Sequence, residues 1–267
     1  MNQPPASYSD PSTGSGQAPR LVAPPPGPIS LRLPSSPPRV TYTILGLTIL
    51  VYLLQMASQF ILGYDLPIAL GAKSNELIRE GQIWRLITPV LLHGSLWHIG
   101  FNMYALFSFG TGLERRFGHA RFLVLYLLAG FSGNVISFLL TGDPSVGSST
   151  SIFGLIAAEG LFLYQNRKLF GAEAKQAIGN VVSVAAINLF IGFSSGGLID
   201  NWGHIGGLLG GLIFTLFGGP LWQVEGLYPL LHLVDRREGR DVVLGSAAVL
   251  FIFGALAMLG ITYVIVP

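Results

Sequence analysis

Five histidines, a run of serines and an asparagine carry the reactive potential of this 267-residue sequence. His98 and Asn102 are spaced i,i+4 and share one face of any helix that holds them, with His93 just upstream. Ser148, Ser149 and Ser151 follow Gly147 at the head of one apolar stretch, and Asp200, Asn201 and His204 head another. A serine hydroxyl beside a neutral imidazole is a nucleophile–base pair, in which the imidazole takes the proton as the oxygen attacks a carbonyl. His98 and Asn102 are suited to donate hydrogen bonds to the oxyanion that develops, and the backbone N–H of Ser149 near a helix start adds another donor. There is no cysteine, which excludes disulfides, a thiol nucleophile and cysteine-ligated metals. No His-Glu-x-x-His pattern occurs, and no metal, cofactor or nucleic-acid partner is expected.

The elements that must position these residues are membrane helices. Only 10% of residues are charged, 51% are hydrophobic, and mean hydropathy is +0.59. A soluble domain carries about 25% charged residues to solvate its surface. No charge interrupts 40–64 or 242–266, and each run exceeds the roughly 20 residues of a spanning helix. Hydropathy and breakers predict spans at 40–62, 94–113, 122–141, 148–165, 177–195, 201–219 and 242–265. The connection from 63 to 93 mixes Trp84 and aliphatic residues with Lys73, Arg79 and Arg85, which suits an amphipathic element at the interface. Residues 1–38 hold 11 of the 17 prolines and read as a disordered Pro/Ser/Gly-rich cytoplasmic tail. The expected organisation is that tail, a membrane core over 39–220, and a cytoplasmic connection with a seventh span over 221–267.

Twelve of the 15 Lys and Arg residues fall before the first span or in alternate connections. The positive-inside bias then places the N-terminus in the cytoplasm and the C-terminus outside. The second, fourth and sixth spans all begin at the outer face, so His98, Asn102, the serines and His204 meet at similar depth. Polar groups inside a bilayer are costly and point to function. Gly206 with Gly210, and Gly207 with Gly211, form small-xxx-small faces for close helix approach. Gly203 and Gly206 flank His204 and would let the fourth span come near it.

Bland readings stand beside these. Serines at a helix start are commonly caps, and only the register with His204 and the His98/Asn102 pair favours Ser149. Asp200 reads as an N-cap, Phe153 as packing or as a ring stacked on His204. Glu159 needs a partner, for which Asn134 and Asn188 are candidates. Glu114 reads as a helix end paired to an arginine, and His119 and His232 as solvated.

Five motifs in order now carry a resemblance. These are Trp84-Arg85, His93-x4-His98-x3-Asn102, Gly147-x-Ser149, Ile152-Phe153-Gly154 and Gly203-His204-x-Gly206-Gly207. The chain resembles the rhomboid family of intramembrane serine proteases over about 80–215. The resemblance implies an all-α polytopic membrane bundle: a six-helix core, here with an extra C-terminal transmembrane helix. It implies a Ser149–His204 dyad cleaving single-span membrane substrates near the outer face of the cell (inner) membrane, and an oxyanion held by His98 and Asn102. Gly147, Phe153, His93, Trp84 and Arg85 are implied as supporting residues. The position after the nucleophile is often Gly in that family and is Thr150 here. An inactive relative that binds and steers membrane helices is the competing reading, although such relatives characteristically lose the Ser or His. A seven-span transporter or receptor fits less well, since no internal repeat is found and the polar residues gather at one face.

Overall fold

The computed structural model describes residues 34–197 and 199–263. Residues 1–33 of the expected tail, and the last residues of the seventh span, lie outside them. Residues 34–38 carry no regular structure and lead into α1 (Arg39–Leu62).

The connection after α1 folds as two short helices, α2 (Leu66–Gly71) and α3 (Asn75–Arg79), followed by 3₁₀ turns at Ile83–Leu86 and Thr88–Leu91. Asp65 and Ser74 cap the helices through their side chains, satisfying N–H groups that a helix start leaves open. Next come α4 (Leu96–Ala105) and α5 (Thr111–Phe117), joined by a π-helical stretch at Leu106–Gly110 into one continuous second span. Helices α6 (His119–Leu140), α7 (Ser149–Gln165), α8 (Arg167–Phe170), α9 (Ala172–Ser194) and α10 (Asn201–Gly218) follow. A hairpin of β1 (Trp222–Glu225) and β2 (His232–Asp235) then leads to α11 (Gly239–Thr262). The hairpin pairs antiparallel, with Trp222 opposite Asp235. It was not foreseen in a stretch read as a plain connection.

The seven predicted spans correspond to α1, α4–α5, α6, α7, α9, α10 and α11. Four of them, α1, α6, α9 and α11, are long and apolar enough to cross a membrane by length and composition alone. The remaining three are the ones that carry the polar residues. On α1 only Thr41, Ile44, Thr48 and Gln55 are buried, a single stripe at helical spacing. Leu53, Phe60 and Ile61 on that helix, and Phe190 on α9, are largely exposed. Apolar rows of this size need a lipid surface. The chain is an all-α, multi-pass membrane helix bundle.

Helices α6, α7 and α10 form the centre, and glycine sets their spacing. A Cβ on Gly206 would lie 2.6 Å from the Ser132 carbonyl of α6, and one on Gly210 would lie 2.3 Å from Ser132 Oγ. On the neighbouring face, a Cβ on Gly207 would lie 2.0 Å from the Thr150 carbonyl of α7, and one on Gly211 would lie 2.3 Å from the Gly154 carbonyl. The two small-xxx-small faces of α10 therefore serve different partners. Gly206 admits α6, and it is Gly203 and Gly207 that admit α7.

The basic end of the bundle is held by buried polar contacts. Glu114 accepts hydrogen bonds from the N–H groups of Val40 (2.8 Å) and Thr41 (2.7 Å) and from the Thr41 hydroxyl (2.7 Å). It also lies 2.6 Å from His119 Nδ1. Its expected arginine partner is absent among the described residues, because the open N–H groups at the start of α1 reach it first. Arg116 pairs instead with Glu159 at 2.6 Å, which replaces both asparagines proposed for that glutamate. Asn134 donates to the Leu86 carbonyl (3.1 Å) and Asn188 to the Val184 carbonyl (2.8 Å). His119 keeps partial exposure, and His232 is exposed as expected.

Candidate active site

At the opposite end, the first turns of α4, α7 and α10 face a cavity of about 990 Å³. Its wall includes His98, Asn102, Ser149, Phe153 and His204, and α9 closes one side with Val184, Asn188 and Ile191. His204 is buried on the first turn of α10, and Ser149 is the half-buried first residue of α7. Ser149 Oγ lies 2.9 Å from His204 Nε2, within ordinary hydrogen-bond distance. The Phe153 ring stacks on the imidazole with centroids 4.1 Å apart and planes at 9°. One helical turn separates Ser149 from Phe153, so a single face of α7 grips both the edge and the flat of the imidazole.

Asp200 caps α10, accepting from the Gly203 N–H at 2.8 Å, and its other oxygen accepts from the Ser137 hydroxyl. Both carboxylate oxygens are thus engaged away from the ring. His204 Nδ1 has no protein partner among the described residues. The capping role read from the sequence holds, and among the described residues no acidic side chain hydrogen-bonds the His204 ring.

The serines divide. No side chain caps α7, although Ser148 occupies its N-cap position. The first N–H groups of that helix, Ser149's among them, are left without a side-chain acceptor at the positive end of the helix dipole. Ser148 Oγ instead lies 3.4 Å from His93 Nε2. His93 is buried, and burial holds its imidazole down to about 3, so it is neutral at any physiological pH. Its backbone N–H donates to Gln55 Oε1, and its carbonyl accepts from Gln55 Nε2, both at 3.1 Å. Gln55 was missed from the sequence; its signal was one of two amides, with Gln59, in an uncharged run.

Gly147 lies buried between Val146 and Ser149, two residues of the cavity wall. Its φ of +129° suits glycine, and a Cβ there would lie 2.7 Å from His98 Nε2. That nitrogen therefore sits against the backbone just before Ser149. Asn102 Nδ2 donates to the His98 carbonyl at 2.9 Å, which orients its amide along the same face. Trp84 and Arg85 build the preceding connection: Trp84 Nε1 donates to the Leu70 carbonyl, and Arg85 donates to the Ala72 and Ala69 carbonyls and to Gln82.

Thr150 is buried in a socket. A Cβ on Gly133 of α6 would lie 2.6 Å from Thr150 Cβ, and one on Gly203 of α10 would lie 3.1 Å from its methyl. The bulk that replaces the common glycine is taken up by two glycines on neighbouring helices.

The loop entering α7 is stitched to the connection after α1. Lys73 and Ser145 exchange backbone hydrogen bonds at 3.0 and 3.3 Å. Lys73 Nζ, fully buried, donates to the Thr141 carbonyl at 3.0 Å. Burial lowers this ammonium to about 8, against the pull of Asp200 and Asp143. Between about pH 8 and 10.5 the folded chain has shed a proton that the unfolded chain keeps, so stability rises with pH across that window. A thermal-unfolding series in detergent is expected to show this rise and to lose it in Lys73→Met. An equal rise in the variant would assign the effect elsewhere.

Comparison with known proteins agrees with this geometry. Residues 80–220 match the Rhomboid domain family model. The chain is 42% identical to rhomboid protease GluP of Bacillus subtilis over 175 residues, covering 65% of this chain and 34% of that protein. It is 36% identical to RHOMBOID-like protein 9, chloroplastic, of Arabidopsis thaliana, covering 60% and 37%. It is 31% identical to rhomboid-like protease 1 of Toxoplasma gondii, covering 64% and 66%. The match thus spans about a third of the length of the first two relatives. With seven spans in the expected order, four of the five motifs gathered on the elements that face one cavity, and a family model covering more than half of its length, this chain belongs to the rhomboid family.

Proposed function

We propose that this protein is an intramembrane serine endopeptidase that cuts single-span membrane proteins, with Ser149 as nucleophile and His204 as general base. The 2.9 Å contact between Ser149 Oγ and His204 Nε2, under the Phe153 ring, carries this reading. Nε2 takes the hydroxyl proton while Oγ attacks the substrate carbonyl, forming a C–O bond and an oxyanion. His98, Asn102 and the Ser149 N–H surround the place where that charge develops. Collapse breaks the C–N bond as the imidazolium passes its proton to the leaving amine, and water then hydrolyses the acyl-enzyme by the same base.

Charge placement supports an inner-membrane orientation with the N-terminus cytoplasmic, the C-terminus outside and the cavity opening outward. Residues 39–220 form the catalytic core in this reading, with 221–267 as an addition to it. Substrate reaches the cavity as a helix and must unwind locally, because helical carbonyls are already hydrogen-bonded.

Labelling with a serine-directed fluorophosphonate tests the reading against an inactive, helix-binding relative. The wild-type chain is expected to label and Ser149→Ala to lose the signal. Absence of labelling under conditions that modify an active rhomboid protease would favour the inactive reading.

A further inference from the structure

The end of the bundle remote from Ser149 holds a second recess, of about 440 Å³, between α8 and the first turns of α9. Its size falls in the range of sites that hold small ligands, roughly 300–1,000 Å³. Tyr164, Arg167, Lys168, Ala174, Lys175 and Ile178 line it. Helix α7 runs 17 residues from Ser149 to Gln165, about 25 Å at 1.5 Å per residue, so this recess and the cavity occupy opposite faces of the membrane.

Its chemistry is divided. The floor is apolar: Ala174 is 2% exposed, and Ile178 is half-buried beside it. The rim is cationic, and no acidic side chain belongs to the wall. Arg167 lies over the Tyr164 ring at 4.5 Å and donates to the Tyr164 carbonyl at 2.9 Å. Lys168 and Lys175 are exposed, and among the described residues neither ammonium has a hydrogen-bond or ion-pair partner. Glu173, next to the recess in sequence, is not part of its wall. Ile178 leads one turn on to Val182, which is 60% exposed on the lipid-facing side of α9. The apolar floor is therefore continuous with the surface that meets acyl chains.

We propose that this recess binds one anionic glycerophospholipid. The phosphate sits among Lys168, Lys175 and Arg167, and the start of an acyl chain lies on Ala174 and Ile178 toward Val182. A free phosphate would leave the floor uncovered, and an uncharged lipid would leave the cations unmatched. The proposal rests on the chain being a membrane protein and not on its proteolytic reading.

A fluorescent phosphatidylglycerol titrated into the detergent-solubilised full chain tests it. Saturable binding at one site is expected, with unlabelled phosphatidylglycerol competing far better than phosphatidylcholine. Each cation near an anionic headgroup contributes about fivefold, so Lys168→Gln/Lys175→Gln is expected to weaken binding roughly 25-fold. Arg236→Gln/Arg240→Gln removes equal charge at the same end of the bundle, and less than about a twofold change is expected there. Ile178→Trp fills the floor without touching charge and is also expected to weaken binding. Equal losses in the two double variants would overturn the recess in favour of diffuse attraction. Equal competition by phosphatidylcholine, or displacement by millimolar inorganic phosphate or a soluble acidic peptide, would overturn the anionic-lipid assignment.

Discussion

Ser149→Ala and His204→Ala are each expected to lower cleavage of a single-span reporter by at least about 10³-fold, to the limit of detection. In the proposed mechanism the two groups act as one unit, since the hydroxyl is a weak nucleophile until the base takes its proton. The double variant should therefore be no worse than either single one. Ser149→Ala should keep its fold, because Ser149 is half-buried at a helix start and makes no cap; His204→Ala also removes a buried ring stacked on Phe153, so its midpoint should fall further. Co-expression of each variant with a panel of reporters, read by fragment mapping and by thermal unfolding of the purified chain, checks both halves. Full cleavage by either variant would remove that residue from the mechanism. Loss of cleavage with loss of folding would say nothing about chemistry, and the midpoint separates that case.

The second large effect concerns spacing. Gly207→Ala places a methyl 2.0 Å from the Thr150 carbonyl, a backbone atom that no rotamer change can move aside. Overpacking of this kind typically costs about 1–3 kcal/mol. With about 2–4 °C per kcal/mol for a domain of this size, the midpoint should fall by several degrees. The larger consequence is positional, because α10 can relieve the contact only by moving away from α7, and that motion separates His204 from Ser149. Cleavage should fall even in the fraction that remains folded. Gly254→Ala on α11 is the matched control: nothing lies within 4 Å of its Cβ, and alanine is the better helix former by about 1 kcal/mol. Unchanged cleavage and an unchanged midpoint in Gly207→Ala would contradict the packing described above.

The helices were legible because uncharged runs and breakers mark where a chain can cross a bilayer. The expected 40–62 is Arg39–Leu62, and 201–219 is Asn201–Gly218. The pairing of Ser149 with His204 was legible through helix direction, since charge bias brought the starts of three spans to one face. Phe153 was legible only as one of two readings, because i,i+4 spacing puts a ring near the serine but does not say what it faces. Partner choice was not legible. Glu159 meets Arg116 from another helix 43 residues away, and the open N–H groups of α1 take Glu114 before any arginine does. Gln55 reaches His93 across 38 residues. Such contacts depend on how helices rotate against one another, which periodicity within a single helix does not encode. The hairpin over 222–235 was missed for a related reason: four-residue strands carry too short a pattern to stand out from a connection.

The socket around Thr150 changes what a sequence pattern can be taken to mean. Gly133 and Gly203 come from different helices: a Cβ on Gly133 would collide with Thr150 at 2.6 Å, and one on Gly203 would press on its methyl at 3.1 Å. Thr150 therefore fills a space on α7 that glycines of α6 and α10 leave open. Relatives should vary in bulk at the Thr150 position while keeping glycine at the Gly133 position, whose Cβ would also lie 2.6 Å from the Gly203 carbonyl. Judged alone, a threonine there looks like a departure from an active motif; judged with its neighbours, it is a side chain for which their glycines leave room.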